Sequence, residues 1–197
     1  MRLELDFYNK WGAVKLAQGL LGKLLVREIG GKQIIARIVE TEAYVGPEDK
    51  ACHAYQNKRT KRTEVMFKRG GFSYVYLIYG MYNCFNVVAG DEGKPEAVLV
   101  RGVEPINGLD IIKKNRQIKS KKKEDLTNGP GKLCQALDID RSLNGCDLTT
   151  NQELYIKDSD EVVEIVADKR INIDYAEEYR DKLWRFYVKE NQFVSKG

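Results

Sequence analysis

The sequence predicts an α+β fold, a single domain over residues 1–197 built on a mostly antiparallel sheet with flanking helices. Three observations point there. Strand-like runs recur along the chain, and short glycine turns join several of them. Helical spacing is confined to a few short stretches at the edges of those runs. No GxGxxG fingerprint or P-loop is present, so a doubly wound nucleotide-binding fold has no support. A chain of 197 residues, 43% hydrophobic, can bury one core without disulfides or a structural metal.

Taken in order, Asn9 to Leu21 sets Ala13, Val14, Leu16, Ala17, Leu20 and Leu21 at helical spacing. Lys23 to Ile29 is a strand, Gly30-Gly31 a two-residue hairpin turn, and Gln33 to Val45 the return strand. Phe72 to Tyr79 and Met81 to Val88 form a second hairpin around Gly80, and Glu96 to Val103 is a further strand. Leu109 to Arg116 is a short helix. Gly129-Pro130-Gly131 opens another over Lys132 to Leu137, with proline near the first turn, where its missing N–H is not needed. The last third holds short strands at Leu154–Ile156, Val162–Ala167 and Trp184–Val188, with a helical stretch from Tyr175 to Lys182.

Composition narrows the function classes. No apolar run approaches the ~20 residues that cross a bilayer, and MRLELDFYNKWG lacks the apolar core of a signal peptide. The expectation is an intracellular protein of cytoplasm or nucleoid, or of the nucleus in a eukaryote, with no membrane partner. The four cysteines, Cys52, Cys84, Cys134 and Cys146, form no CxxC pair and match no zinc spacing. Cys84 and Cys134 lie in apolar stretches and read as small core residues in a reducing compartment.

The net charge of +4 is lopsided. Lys58 to Arg69 carries six basic residues and one acid, and Lys113 to Lys123 seven basic residues and no acid. Two such blocks make an electrostatic footprint suited to a phosphate polymer. Lys119–Lys123 alone also reads as a solvated loop, and Lys121–Lys123 as a nuclear-targeting signal.

Candidate chemistry falls at the end of the return strand. Strict alternation sets Ile34, Ala36, Ile38, Glu40, Glu42 and Tyr44 on one face, so an apolar row runs into two carboxylates and an aromatic ring. A carboxylate at the edge of an apolar surface is partly desolvated and suits general-base work. Both glutamates also fit exposure at a strand end, or pairing with Arg37 or Arg101. Glu40, Glu42, Glu48 and Asp49 are in addition hard oxygen ligands within ten residues, the pattern of a metal-dependent nuclease.

The segment Tyr74-Val75-Tyr76-Leu77-Ile78-Tyr79-Gly80-Met81-Tyr82 holds four of the 11 tyrosines. A bend at Gly80 would project Tyr79 and Met81 from a hairpin tip, where large side chains suit insertion between stacked bases. Other tyrosines of the hairpin fit the core, or a stacking platform for an extruded base. Arg101 follows Ala97 and Leu99 on their face and wants a carboxylate partner, whether in a site or in a plain salt bridge. Asn128-Gly129-Pro130-Gly131-Lys132 presents helix-start amides and a lysine suited to phosphate. His53 fits either a capped loop or a stacking partner.

Several of these stretches resemble the alkyladenine (3-methyladenine) DNA glycosylases. They are Glu40-Thr41-Glu42-Ala43-Tyr44-Val45-Gly46-Pro47-Glu48-Asp49 with His53; Tyr74-Val75-Tyr76 through Tyr79-Gly80-Met81-Tyr82 to Asn86; Val98-Leu99-Val100-Arg101 with Glu104-Pro105; and Gly129-Pro130-Gly131-Lys132-Leu133-Cys134-Gln135-Ala136-Leu137. The likeness runs from about Leu20 to Val188. It weakens in the C-terminal third and at Arg59-Thr60-Lys61-Arg62, where the family more often has proline after the threonine.

The resemblance implies a single domain with a curved antiparallel sheet, no metal and no cofactor. It implies a monomer that removes damaged purines from double-stranded DNA. By position, Glu42 resembles the general base that activates water, and Arg101 the arginine that helps hold that water. Tyr44, His53 and Tyr76 would sandwich the flipped base, and Asn86 matches the asparagine that crowds the 2-amino group of guanine. Tyr79 would fill the hole left in the duplex with Met81 beside it, and Gly131 and Lys132 would meet the backbone. With one carboxylate base and no amine nucleophile indicated, lyase activity is not expected. Two other classes fit the residues: a non-catalytic nucleic-acid-binding module using the same surface, and the metal-dependent nuclease.

Overall fold

Lys32–Val45 form β2, a strand of 14 residues and the spine of an eight-stranded sheet in the computed structural model, which describes residues 1–195. Its first half pairs with β1 (Leu24–Ile29) through the Gly30-Gly31 turn. Both glycines have positive φ, +54° and +75°, as a tight two-residue hairpin requires. On the other edge of β2 lie β5 (Glu96–Asn107), then β4 (Tyr82–Ala89) and β3 (Ser73–Ile78). The strand β6 (Leu154–Lys157) extends the sheet beyond β1. Over Glu40–Glu42 the partner of β2 is β8 (Arg185–Val188), which also pairs with β7 (Ile165–Asp168). All of these pairings are antiparallel, as expected.

The β2–β5 ladder slips three times, between Ile35 and Ala36, between Ile38 and Glu40, and between Glu40 and Thr41. Bulges bend a strand and raise its twist. Here they also end the alternation expected of β2. Burial alternates from Lys32 to Ile38, and then every residue from Ile38 to Ala43 is buried. Glu40 and Glu42 are therefore covered on all sides rather than standing at the rim of an apolar face.

Four short α-helices flank the sheet: α1 (Leu5–Asn9), α2 (Ala13–Gly19), α3 (Leu109–Arg116) and α4 (Pro130–Ala136). The α2 helix lies on β2, where the Thr41 hydroxyl donates to the Ala17 carbonyl at 2.8 Å. The main core gathers Leu16, Leu20, Ile34, Ile38, Phe85 and Leu133 between helices and sheet.

Three expected elements differ. The helix expected over Asn9–Leu21 starts only at Ala13, whose N–H donates to the Glu96 carboxylate at 2.6 Å, and the unexpected α1 ends at Asn9 ahead of it. Gly12 makes that approach possible, since a Cβ there would sit 2.8 Å from the same carboxylate. The helix expected at Tyr175–Lys182 is a run of tight 3₁₀ turns over Asp174–Asp181, interrupted where Glu177 takes φ +51°. The strand expected at Val162–Ala167 forms only from Ile165, and Val162 is almost wholly exposed.

Phe85 is fully buried in β4, behind the wall that carries the aromatic hairpin. Phe85→Ala should cost about 3–5 kcal/mol by loss of contact and the cavity left behind. Urea unfolding of the two proteins under the same conditions measures it.

Candidate active site

β2, β3, β4 and β5 converge on one cavity of about 470 Å³. Tyr44 at the end of β2, Tyr74 and Tyr76 on β3, Asn86 on β4, Arg101 on β5 and His53 from the loop after β2 all line it. The segment Ile171–Ile173 and Tyr175 close another side, and Tyr79, Arg116, Gly131 and Lys132 reach its border. Each expected base-binding residue, Tyr44, His53, Tyr76 and Asn86, is thus in the wall of a single cavity.

Arg101 is aimed by the bulge. Glu40 pairs with Gly102 and Thr41 with Val100, so Arg101 is the extra residue of β5, without a ladder partner. A bulged residue is free to re-aim its side chain. Its Nε donates to Glu40 Oε1 at 3.2 Å, and its Nη1 lies 3.4 Å from Glu42 Oε1. Burial disfavours the charged guanidinium, but Glu42 and Glu40 outweigh it and leave the group more firmly charged than usual.

Glu42 is completely buried and does not itself line the cavity, although its immediate neighbours Tyr44, Arg101 and Ile171 do. Its Oε1 accepts from the Ile171 N–H at 2.8 Å, and its Oε2 from the Tyr44 hydroxyl at 2.8 Å. Burial, with Glu42 beside it, holds the Tyr44 phenol far above its ordinary pKa, so it stays the donor. Arg170 stacks on Tyr44, its guanidinium carbon 4.8 Å from the ring centroid. The same guanidinium pairs with Asp49 at 2.5 Å and 2.9 Å and donates to the Ala43 carbonyl. Both side chains of that pair are fully buried.

His53 meets Tyr76 edge to face, with ring centroids 4.6 Å apart. Arg62 Nη2 lies 3.1 Å from His53 Nε2, and a guanidinium only donates. Nε2 is therefore the acceptor and Nδ1 carries the proton, donated to the Tyr74 hydroxyl at 2.9 Å. Asn86 is held by its Nδ2 donating to the Tyr74 carbonyl at 3.0 Å.

The β3–β4 hairpin carries Tyr79 and Met81 into solvent, 77% and 66% exposed. Tyr79 and Gly80 both have positive φ, +53° and +70°, and the Met81 N–H closes the turn on the Ile78 carbonyl. A left-handed backbone is strained for a tyrosine, and strain of this kind collects at functional sites. Gly131 has a packing role: a Cβ there would sit 3.1 Å from the Tyr82 Cβ, so its absence lets the tip end of the hairpin rest on α4. Lys132 is beside it, its Nζ donating to Asn128 Oδ1 at 2.7 Å.

The acidic cluster does not converge. Glu40 faces Arg101 and Arg185, Glu42 faces Tyr44, Asp49 faces Arg170, and Glu48 is exposed. Among the described residues no three His, Cys, Asp or Glu side chains are grouped to hold a metal ion. Arg62, Arg170, Arg185 and the Ile171 amide were not singled out from sequence. Arg62 lies in the first basic block and Arg185 in the expected strand Trp184–Val188, but neither stretch marks a site partner.

Burial and the neighbouring Arg62 lower the His53 pKa from 6.5 to about 4. The unfolded chain then binds a proton that the native state refuses. Stability should fall as the pH drops from about 6.5 to about 4, by at most about 3 kcal/mol from this group, and be flat above. His53→Gln should lack that part of the slope when urea unfolding is compared across the range.

The chain is similar to known proteins over nearly its whole length. Residues 6–192 match the methylpurine-DNA glycosylase family. A protein of Natranaerobius thermophilus is 58% identical over 197 residues, 99% of each chain. One from Desulfitobacterium hafniense is 52% identical over 200 residues, 98% of each, and one from Clostridium botulinum is 50% identical over 202 residues, the whole of each. All three carry the name "Putative 3-methyladenine DNA glycosylase". With the match spanning nearly all of its length, the chain belongs to the methylpurine-DNA glycosylase family.

Proposed function

We propose that the protein is a monofunctional base-excision DNA glycosylase. It turns a damaged purine out of duplex DNA into the aromatic cavity and hydrolyses the N-glycosidic bond with water activated by Glu42. The observation that carries this reading is adjacency: an exposed aromatic tip at Tyr79 beside a cavity of about 470 Å³ walled by Tyr44, His53 and Tyr76. Family membership and the names of the relatives support it.

The physics runs in sequence. Extruding a base costs a few kcal/mol, least for a lesion that stacks or pairs poorly. Tyr79 fills the gap and offsets part of that cost, with Met81 alongside. The base stacks against the tyrosine rings, and Asn86 in the wall crowds a guanine 2-amino group. Exposed Lys58, Lys61, Lys113, Lys114 and Lys119 meet the phosphates without reading sequence. Lys132, bonded to Asn128 at the cavity border, adds a phosphate contact there, with the Gly131 backbone beside it. The protein acts as a monomer on double-stranded DNA and needs no metal or cofactor.

Bond cleavage leaves an oxocarbenium-like sugar, which a nearby carboxylate stabilises. Arg101 lines the cavity and its Nη1 lies 3.4 Å from Glu42 Oε1, so it is the group that links a water in the cavity to the buried carboxylate. The Ile171 amide keeps Oε1 in place. Hydrogen bonds of this type commonly tighten only when substrate is bound.

One observation favours a second reading, a lesion-binding module without chemistry: Glu42 is sealed off from the cavity by its own partners. A single assay separates the two. Duplex bearing one hypoxanthine, ethenoadenine or 3-methyladenine is incubated with protein in EDTA, then heated in alkali. Release of free base, with strand scission only after alkali, is the expected result. Scission before alkali would overturn the monofunctional assignment, and lesion binding without release would favour the module.

Glu42→Gln should bind lesion duplex normally and lose at least about a hundredfold in single-turnover rate, the lower end for removal of a general base. Full activity in that variant would overturn the role. Tyr79→Ala should weaken lesion binding more than binding to undamaged duplex, measured side by side at one salt concentration.

A further inference from the structure

The segment after β8 folds back across the rear of the site. Asn191 Nδ2 donates to Glu104 Oε2 at 3.0 Å, and the Phe193 N–H is held by Asn191 Oδ1 at 2.9 Å. The chain then lies against β5 at Gly102, where a Cβ would sit 2.6 Å from the Phe193 carbonyl oxygen. That contact needs a residue without a side chain next to Arg101. It delivers Ser195, 8% exposed, to the buried carboxylate of Glu40.

Ser195 meets Glu40 twice. Its N–H donates to Oε2 at 2.7 Å, and its hydroxyl donates to Oε1 at 2.9 Å. The same hydroxyl oxygen accepts from Arg101 Nη2 at 3.3 Å. Arg101 Nε, Glu40 Oε1 and Ser195 Oγ thus close a ring of hydrogen bonds on one edge of the guanidinium. The nitrogen outside that ring, Nη1, is the one 3.4 Å from Glu42. Arg185 Nη1 shares Glu40 Oε1 at 3.3 Å, and its Nη2 reaches Asp168 on β7.

We propose that Ser195, with Glu40, is a positioning residue for the reaction: it grips one edge of Arg101 so that the other faces Glu42 and the cavity floor. The inference rests on the assignment of Glu42 and Arg101 to water activation. Ser195 does not line the cavity, so it touches neither base nor sugar. A planar guanidinium that donates from two nitrogens on one edge to fixed acceptors has a defined plane, whereas one that donates from Nε alone pivots about that bond. Loss of the hydroxyl leaves the Ser195 N–H on Glu40 and keeps the charges balanced, which makes Ser195→Ala a clean test.

Single-turnover excision and lesion-duplex Kd are measured for the wild type, Ser195→Ala, Ser195→Thr and Glu42→Gln. Ser195→Ala should slow excision about tenfold with Kd within twofold, the size of one hydrogen bond to a charged group expressed in the transition state. Ser195→Thr, which keeps the hydroxyl, should recover the rate to within about threefold. A Ser195→Ala rate within twofold of wild type, even with a lower melting temperature, would overturn the proposal. So would a threonine variant as slow as the alanine one, or equal losses in rate and binding. If Glu42→Gln is fully active, the base assignment itself fails. If Glu42→Gln is inactive and Ser195→Ala is unimpaired, only the positioning role fails.

Discussion

Two carboxylates two residues apart on one strand, both without solvent, are the constraint around which the molecule is arranged. A buried carboxylate without a counter-charge costs several kcal/mol, so Glu40 and Glu42 demand cations from elsewhere in the chain. Arg101 comes from the bulge in β5 and Arg185 from β8. The switch of β2 from β1 to β8 happens at these glutamates, because β8 is the strand that brings the second arginine. Even the slipped ladder serves the same end, since it makes Arg101 the extra residue of β5 and aims its side chain at both glutamates. The local fold and the site chemistry are one electrostatic solution.

The cavity and the exposed tip belong to one hairpin, which explains their fixed relation. Tyr76 lines the cavity from β3, and three residues further on the chain reaches Tyr79 in solvent. Gly131 lets Tyr82, the first residue after the turn, sit on α4, so the tip is carried by packed structure rather than by a free loop. Preorganisation of this kind reduces the ordering lost when a partner binds.

Much of this was legible in the residues. The Gly30-Gly31 and Gly80 turns, the antiparallel pattern and the cavity residues Tyr44, His53, Tyr76 and Asn86 follow from local signals and from the resemblance they carry. What stayed hidden depends on long-range pairing. Alternation set Glu40 and Glu42 beside an apolar face, but bulges depend on the partner strand and cannot be read from β2 alone. Helical spacing began α2 too early because the carboxylate that meets its first N–H, Glu96, lies 83 residues from Ala13. Arg170 and Ser195 sit in polar stretches with no periodicity, Arg185 reads only as the start of a short strand, and only the fold reveals that their partners are buried acids.

The neutral state of the lone histidine reaches beyond the cavity wall. Histidine and cysteine are the side chains that ordinarily change charge near neutrality. Here the imidazole is driven acid by burial and Arg62, and burial drives all four thiols alkaline. Between about pH 6 and pH 8 the histidine and the four cysteines therefore keep a constant charge. These five groups add no pH dependence to attraction to a polyanion over that interval, whereas ionic strength tunes how long the protein lingers on it.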